Sequence, residues 1–426
     1  MAPQGRFTRD LSNDINYRVR AVTSWDVRQQ TEFGTLRTYI RFGVSNETPG
    51  GTGAGSTPSA FWDRAFMQFA GFTVGRSQSF FDLFTYGGAY SYHNVRVTGD
   101  TGAAGQNLWA YTVQFGNGFS GTLSVEDPVS RGKTTIDATA AFFGANGGIV
   151  NDNAFTNNTG AGGGFGFRVP DVVANLRVDQ AWGFAGISGL IHDASGAYYG
   201  TPNLVNNGHP SDKYGWAAAA GAKFNLQGGD MIGFNFCYAQ GAAGACTNQA
   251  SYGLYNNSDT IGVGYIVDGV FGTGTDIELT RVWSALAAYE HIWNPKWRTA
   301  IGGGYVNVDF NGAATNLILQ RFPGGVANCG VQPGIPAGTT ITAFSLNAGN
   351  SCNPDYSFWE AYTRTQRNPV PQLDIGIEVL YTHSNTAFKG PSTLALNASR
   401  PAVVNGLIDD QNVWSAMFRW QRNFYP

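Results

Sequence analysis

The chain is short of charge. Asp, Glu, Lys and Arg together make up 13% of its 426 residues, about half the roughly 25% of an ordinary soluble domain. It also lacks long apolar runs. The longest, such as Trp216 to Ala220, stop after a few residues, far below the roughly 18 that a spanning helix requires. A formal net charge of −3 offers nothing to a nucleic-acid backbone. The four cysteines, Cys237, Cys246, Cys329 and Cys352, form no CxxC, and no histidine stands at zinc-finger spacing. A metal site is therefore not expected, nor is a cofactor. The cysteine order invites the local pairs Cys237–Cys246 and Cys329–Cys352, although four cysteines allow three connectivities. Disulfides would suit an oxidising, cell-surface setting. The five histidines are scattered, with no HExxH or GxSxG nearby, so no local catalytic signature is present. The first ten residues, MAPQGRFTRD, hold no apolar signal-peptide core.

What is abundant is glycine, with 58 residues, and aromatic side chains, at 14%. Both are spread over short alternating segments. In Tyr17–Arg28, the residues Tyr17, Val19, Ala21, Thr23, Trp25 and Val27 share one face. Arg18, Arg20, Val22, Ser24, Asp26 and Arg28 share the other, the period of a strand with one apolar and one polar side. A turn is predicted at Gln29–Thr31. The return strand sets Leu36, Thr38, Ile40, Phe42 and Val44 against Thr35, Arg37, Tyr39 and Arg41. Several arginines on adjacent strands need water or carboxylates, and a water-filled lumen supplies both.

The gaps between such segments alternate. Tight turns are read at Gly71-Phe72, Gly116-Asn117-Gly118, Gln227–Asp230 and Asn294-Pro295-Lys296, and stretches of some twenty to forty residues separate the hairpins. Short turns on one rim and long loops on the other are the rhythm of a transmembrane antiparallel β-barrel. About fifteen strands are counted, with Thr134–Phe143 and Thr260–Phe271 read as structured loops. Single-chain bacterial barrels have even numbers, so a first strand and a signal peptide are expected ahead of the stretch given. The eleven tryptophans fall in or beside strands, and Trp293 and Trp297 bracket one turn, as interfacial aromatic girdles would. A glycine-rich secreted solenoid or adhesin is the alternative, but it should show a fixed repeat period. Gly302-Gly303-Gly304 reads as a bend or a close backbone approach.

Four segments carry a resemblance: Asp26 to Arg37 (DVRQQTEFGTLR), Phe69 to Asp82 (FAGFTVGRSQSFFD), Phe115 to Ser120 (FGNGFS) and Phe418 to Phe424 (FRWQRNF). Together they resemble the alphaproteobacterial, Rhizobiales-type outer-membrane porin family. That resemblance implies one all-β domain over 1–426, a sixteen-stranded barrel in outer-membrane lipid with an inward-folded third loop. It further implies a homotrimer that passes ions and small hydrophilic solutes passively, without an enzymatic step. A substrate-specific channel or a barrel enzyme is the alternative. The candidate constriction segment is Ser77 to Gly105, with Asp82, Tyr86 and Asp100 facing a wall of Arg18, Arg20, Arg37, Arg41 and Arg64.

Overall fold

The computed structural model describes residues 15–47, 58–85, 90–93, 97, 99, 101, 105–133, 135–138, 168–199, 205–248, 252–255, 260–320, 322, 324–330, 344–394 and 407–424. Fifteen strands form one antiparallel sheet in chain order. They are β1 (Arg18–Thr31), β2 (Gly34–Glu47), β3 (Ser59–Phe69), β4 (Phe72–Ser77) and β5 (Gln106–Gly116). Then come β6 (Phe119–Glu126), β7 (Asp171–Gln180), β8 (Gly183–Asp193), β9 (Tyr214–Asn225) and β10 (Met231–Gln240). The last are β11 (Arg281–Asn294), β12 (Trp297–Asp309), β13 (Tyr356–Arg367), β14 (Leu373–Asn385) and β15 (Gln411–Arg422). Among the described residues, β1 pairs with β2 alone and β15 with β14 alone. Residues 1–14, ahead of β1, lie outside the described set.

An antiparallel meander puts alternate connections on opposite rims. The connections 32–33, 70–71, 117–118, 181–182, 226–230, 295–296 and 368–372 are short and share one rim. The long ones, 78–105 and 127–170 among them, share the other. Local chemistry sets the tight turns. Asn117 and Gly118 both take positive φ, at 50° and 76°, which is the turn that matches strand twist in a two-residue hairpin. The first turn departs from the sequence reading. Gln29, Gln30 and Thr31 remain in the ladder opposite Leu36, Thr35 and Gly34, and the chain reverses at Glu32 and Phe33. The Thr31 hydroxyl closes that hairpin, donating to the Gly34 carbonyl at 2.7 Å and accepting from the Phe33 amide at 3.2 Å. A β-branched residue favours the extended strand end, and Gly34 supplies the positive φ of 113°.

Register divides the faces as the alternation implies. Val19, Trp25 and Val27 point outward and are exposed, with Phe42, Val44 and Trp62 on the neighbouring strands. Arg20 points the other way, its guanidinium over the inward-facing Phe61 ring at 4.7 Å. Outward residues such as Trp109, Ile187, Ile377, Trp414 and Phe418 form an exposed apolar exterior, the kind of surface that lipid covers in a transmembrane barrel. Long-rim segments carry small sheets of their own. Thr135–Asp137 pairs parallel with Gly269–Phe271, and Tyr252–Tyr255 pairs with Gly262–Tyr265. These lie outside the fifteen-stranded sheet, as loops with internal structure, while 134 and 139–143 lie outside the described residues. Both local disulfides form: Cys237–Cys246 and Cys329–Cys352, with Cα separations of 5.3 and 5.6 Å, the ordinary span of such a bridge.

Candidate functional site: a segment that crosses the lumen

The connection from β4 to β5 turns inward. Its two ends are clasped. The Ser79 amide donates to the Thr101 hydroxyl at 2.8 Å, and the Thr101 amide and hydroxyl both donate to Asp82 Oδ2, at 2.8 and 2.6 Å. The Phe80 amide donates to Glu126 Oε1 on β6, and the Ser188 hydroxyl on β8 donates to the Phe81 carbonyl. From this root the segment runs over a row of glycines on the inner wall. A Cβ on Gly233 of β10 would lie 2.4 Å from the Phe84 ring, and one on Gly221 of β9 would lie 2.9 Å from Leu83 Cβ. Gly186 of β8 meets Leu83 in the same way at 2.9 Å. Farther round, a Cβ on Gly304 of β12 would lie 2.5 Å from Val97, and one on Gly376 of β14 would lie 2.3 Å from the Tyr92 hydroxyl. Each of these strands lacks a side chain where the segment lies against it, which is the usual meaning of glycine inside a strand.

The tip is held on the far side. Glu378 of β14, fully buried, accepts from the Ser91 hydroxyl at 2.8 Å and from the amides of Tyr92 and His93 at 2.6 and 2.9 Å. His93 Nδ1 stands 2.7 Å from the same carboxylate. The Tyr92 hydroxyl donates to Gln366 at 3.1 Å, and the guanidiniums of Arg364 and Arg419 lie 5.2 and 5.0 Å from its ring. Burial pushes the Tyr90 phenol up to about 12, and the Glu290 carboxylate adds to the shift.

A second buried knot fixes the root. The Arg131 guanidinium is surrounded by Asp82 at 3.6 Å, Glu126 at 3.6 Å and Asp171 at 4.0 Å, and lies 5.0 Å from the Phe81 ring centroid. Asp171 in turn lies 2.6 Å from His192 Nδ1, whose Nε2 is 3.4 Å from Asp268. Asp268 accepts the amides of Lys133 and Ala243. Burial pulls the Lys133 ammonium down to about 8, against the opposing attraction of Asp268.

Arg18, Arg20, Arg37, Arg41 and Arg64 share the inner face of β1–β3, each held by neighbouring carboxylate or carbonyl groups. Arg18 and Arg20 both meet Glu47, at 2.7 and 3.3 Å. Arg37 and Arg28 both meet Asp26, each at 2.9 Å, and Arg37 also donates to Gln68. Arg41 pairs with Asp63 at 2.7 Å, while Arg64 stands opposite Arg41 and donates to the Asp63 carbonyl. Asp82 does not face this wall. Its side chain has no exposed surface, because Thr101 occupies one oxygen and the other faces Arg131. It is a structural staple, correcting its expected place as a pore-lining acid. Tyr86 and Asp100 lie outside the described residues.

Sequence reasoning missed Glu378, Glu126 and Arg131. A glutamate on the inward parity of β14 is the sequence signal for Glu378, and inward-parity glycines are the signal for the segment's path.

Residues 3–415 match the model of the porin subfamily. No curated protein matches the chain in sequence. The outer membrane channel DcaP of Acinetobacter baumannii superposes with a TM-score of 0.51 at 14% identity, covering 98% of this chain and 100% of that one. An anion-selective porin from Comamonas acidovorans gives 0.41 at 9% identity, covering 94% and 100%. OmpF of Salmonella typhi gives 0.38 at 12%, covering 97% and 99%.

Proposed function

The chain belongs to the porin subfamily, a family of outer-membrane channels without enzymatic activity, and from that premise we propose that the segment from Ser77 to Gly105 is the constriction of its pore. Ions and small hydrophilic solutes cross passively through the water left between this segment and the arginines of β1–β3. A polar constriction of this kind selects by width and by field. Arg18, Arg20, Arg37, Arg41 and Arg64 line one side of it. Arginine suits the role, because it stays charged at every relevant pH and its fork is held by neighbouring carboxylates. Three copies assemble into a trimer, and the kinship is alphaproteobacterial; both rest on the resemblance of the four sequence segments.

The observation that carries the reading is the reach of the segment. It leaves the wall at β4 and is gripped by Glu378 on β14, 287 positions from Ser91. A loop lying over the outer rim would have no use for a buried carboxylate on the inner wall. Deleting several residues between Tyr90 and Thr101 should raise single-channel conductance in planar bilayers about twofold or more, since it removes the obstruction itself. Unchanged conductance would place the narrowest point elsewhere.

A further inference from the structure

The field in this constriction has one pole. In Ser77–Gly105 the acidic residues are Asp82 and Asp100, and Arg96 stands among them. Asp82 is consumed by Thr101 and Arg131 and has no surface to offer water. What the segment retains is one aspartate against one arginine. Glu126, Glu290, Glu360 and Glu378, also inward, are all buried, bound respectively to Phe80, Arg364, Thr382 and the segment's tip, while the exposed Asp179 of β7 is paired with Arg177 at 2.7 Å.

The wall opposite is different. Glu47 is shared by Arg18 and Arg20, and Asp26 by Arg28 and Arg37. Two guanidiniums to one carboxylate leave each group with a residual positive charge. These side chains also reach water: Arg18, Arg20 and Arg28 are 55%, 43% and 61% exposed. Asp63, the partner of Arg41, is 6% exposed against 39% for the arginine. Glu47 and Asp26 are themselves 42% and 32% exposed, but each is outnumbered two to one by arginines, so the accessible lumen surface of β1–β3 is net cationic. A low-dielectric wall behind such charges concentrates ions of opposite sign in the water before it.

We propose that this pore prefers anions, and that the two shared-carboxylate groups Arg18–Glu47–Arg20 and Arg28–Asp26–Arg37 are the successive stations at which a small anion replaces part of its hydration with guanidinium N–H groups. The solutes favoured are inorganic anions and small carboxylates or phosphates, which the arginine fork engages through two parallel hydrogen bonds. The inference rests on the constriction reading above, and it assigns that constriction a sign.

The test is the reversal potential of the purified full chain in planar bilayers under a potassium chloride gradient. Chloride should be preferred over potassium by about threefold, the effect of a residual unit charge at short range, partly screened. The combined substitution Arg18→Gln and Arg20→Gln should bring the ratio close to one, Arg20→Lys should preserve it, and Glu47→Gln should raise it. A wild-type preference for potassium would overturn the inference. So would a chloride preference that none of these substitutions moves, because the selecting charge would then lie elsewhere. Failure of the constriction reading registers separately, as a conductance that the segment deletion does not change.

Discussion

Replacing Glu378 by alanine will release the tip of the inward segment and turn a quiet channel into a noisy and wider one. The carboxylate gathers the Ser91 hydroxyl, two successive amides and the His93 ring. Hydrogen bonds to a charged acceptor contribute roughly 1.5–3 kcal/mol each in isolation and do not add fully, so losing the cluster should weaken the grip by about 3–5 kcal/mol. That is a shift of roughly two to three and a half orders of magnitude in the population of the detached tip, by the equivalence of about 1.4 kcal/mol per tenfold. The barrel ladders are untouched, so folding yield should stay near wild type. Glu378→Gln keeps one acceptor but sets a donor among converging donors, and should fall between the two. Single-channel traces distinguish the outcomes: wild-type conductance and noise in the alanine variant would mean the tip is held by something other than Glu378.

Arg131→Met will be the most destabilising single change at the root of the segment. It removes the one guanidinium between Asp82, Glu126 and Asp171 and leaves three buried carboxylates facing one another. Stripping one partner from a buried ionic group costs about 3–5 kcal/mol, because the remaining charge is uncompensated. Arg131→Lys keeps the charge but not the fork, and should be milder. Urea midpoints of the wild type and both variants check this; an unchanged midpoint in Arg131→Met would mean that the three carboxylates are held by something other than Arg131.

Much of the barrel was legible because its grammar is local. The strand read at Tyr17–Arg28 begins one residue before β1 and ends three residues short of it. The outward and inward sets of β1 and β2 follow directly from period two. The first turn was misplaced because Gln29–Thr31 looks polar and loop-like, whereas Thr31 caps the ladder and the reversal needs Gly34. The site was less legible for a different reason. Arg131 and Glu126 matter through their junction with Asp82, and Glu378 through its junction with Ser91 and His93. Such pairs are dozens to hundreds of residues apart and have no short-range period. Asp82 reads as a free pore charge in sequence because nothing near it announces Thr101 or Arg131. Gly186, Gly221, Gly233, Gly304 and Gly376 were the one long-range trace written locally: side chains missing on the inward parity of strands, wherever the segment passes. Gly302–Gly304 marks a close approach, with Val97 over Gly304 and Tyr362 over Gly302.

The segment between β4 and β5 reaches the distant wall at β12, where Val97 meets Gly304. A Cβ built on Gly304 lies 3.0 Å from Val97 Cβ, close to the roughly 3.5–4.5 Å a disulfide spans. The double substitution Val97→Cys with Gly304→Cys should oxidise spontaneously. All four native cysteines are already paired, so thiol titration of the oxidised variant should read zero, and reduction should release one additional bridge joining position 97 to position 304 by mass spectrometry. Two free thiols persisting under oxidising conditions in the folded barrel would contradict the account, because the segment would not then lie on β12.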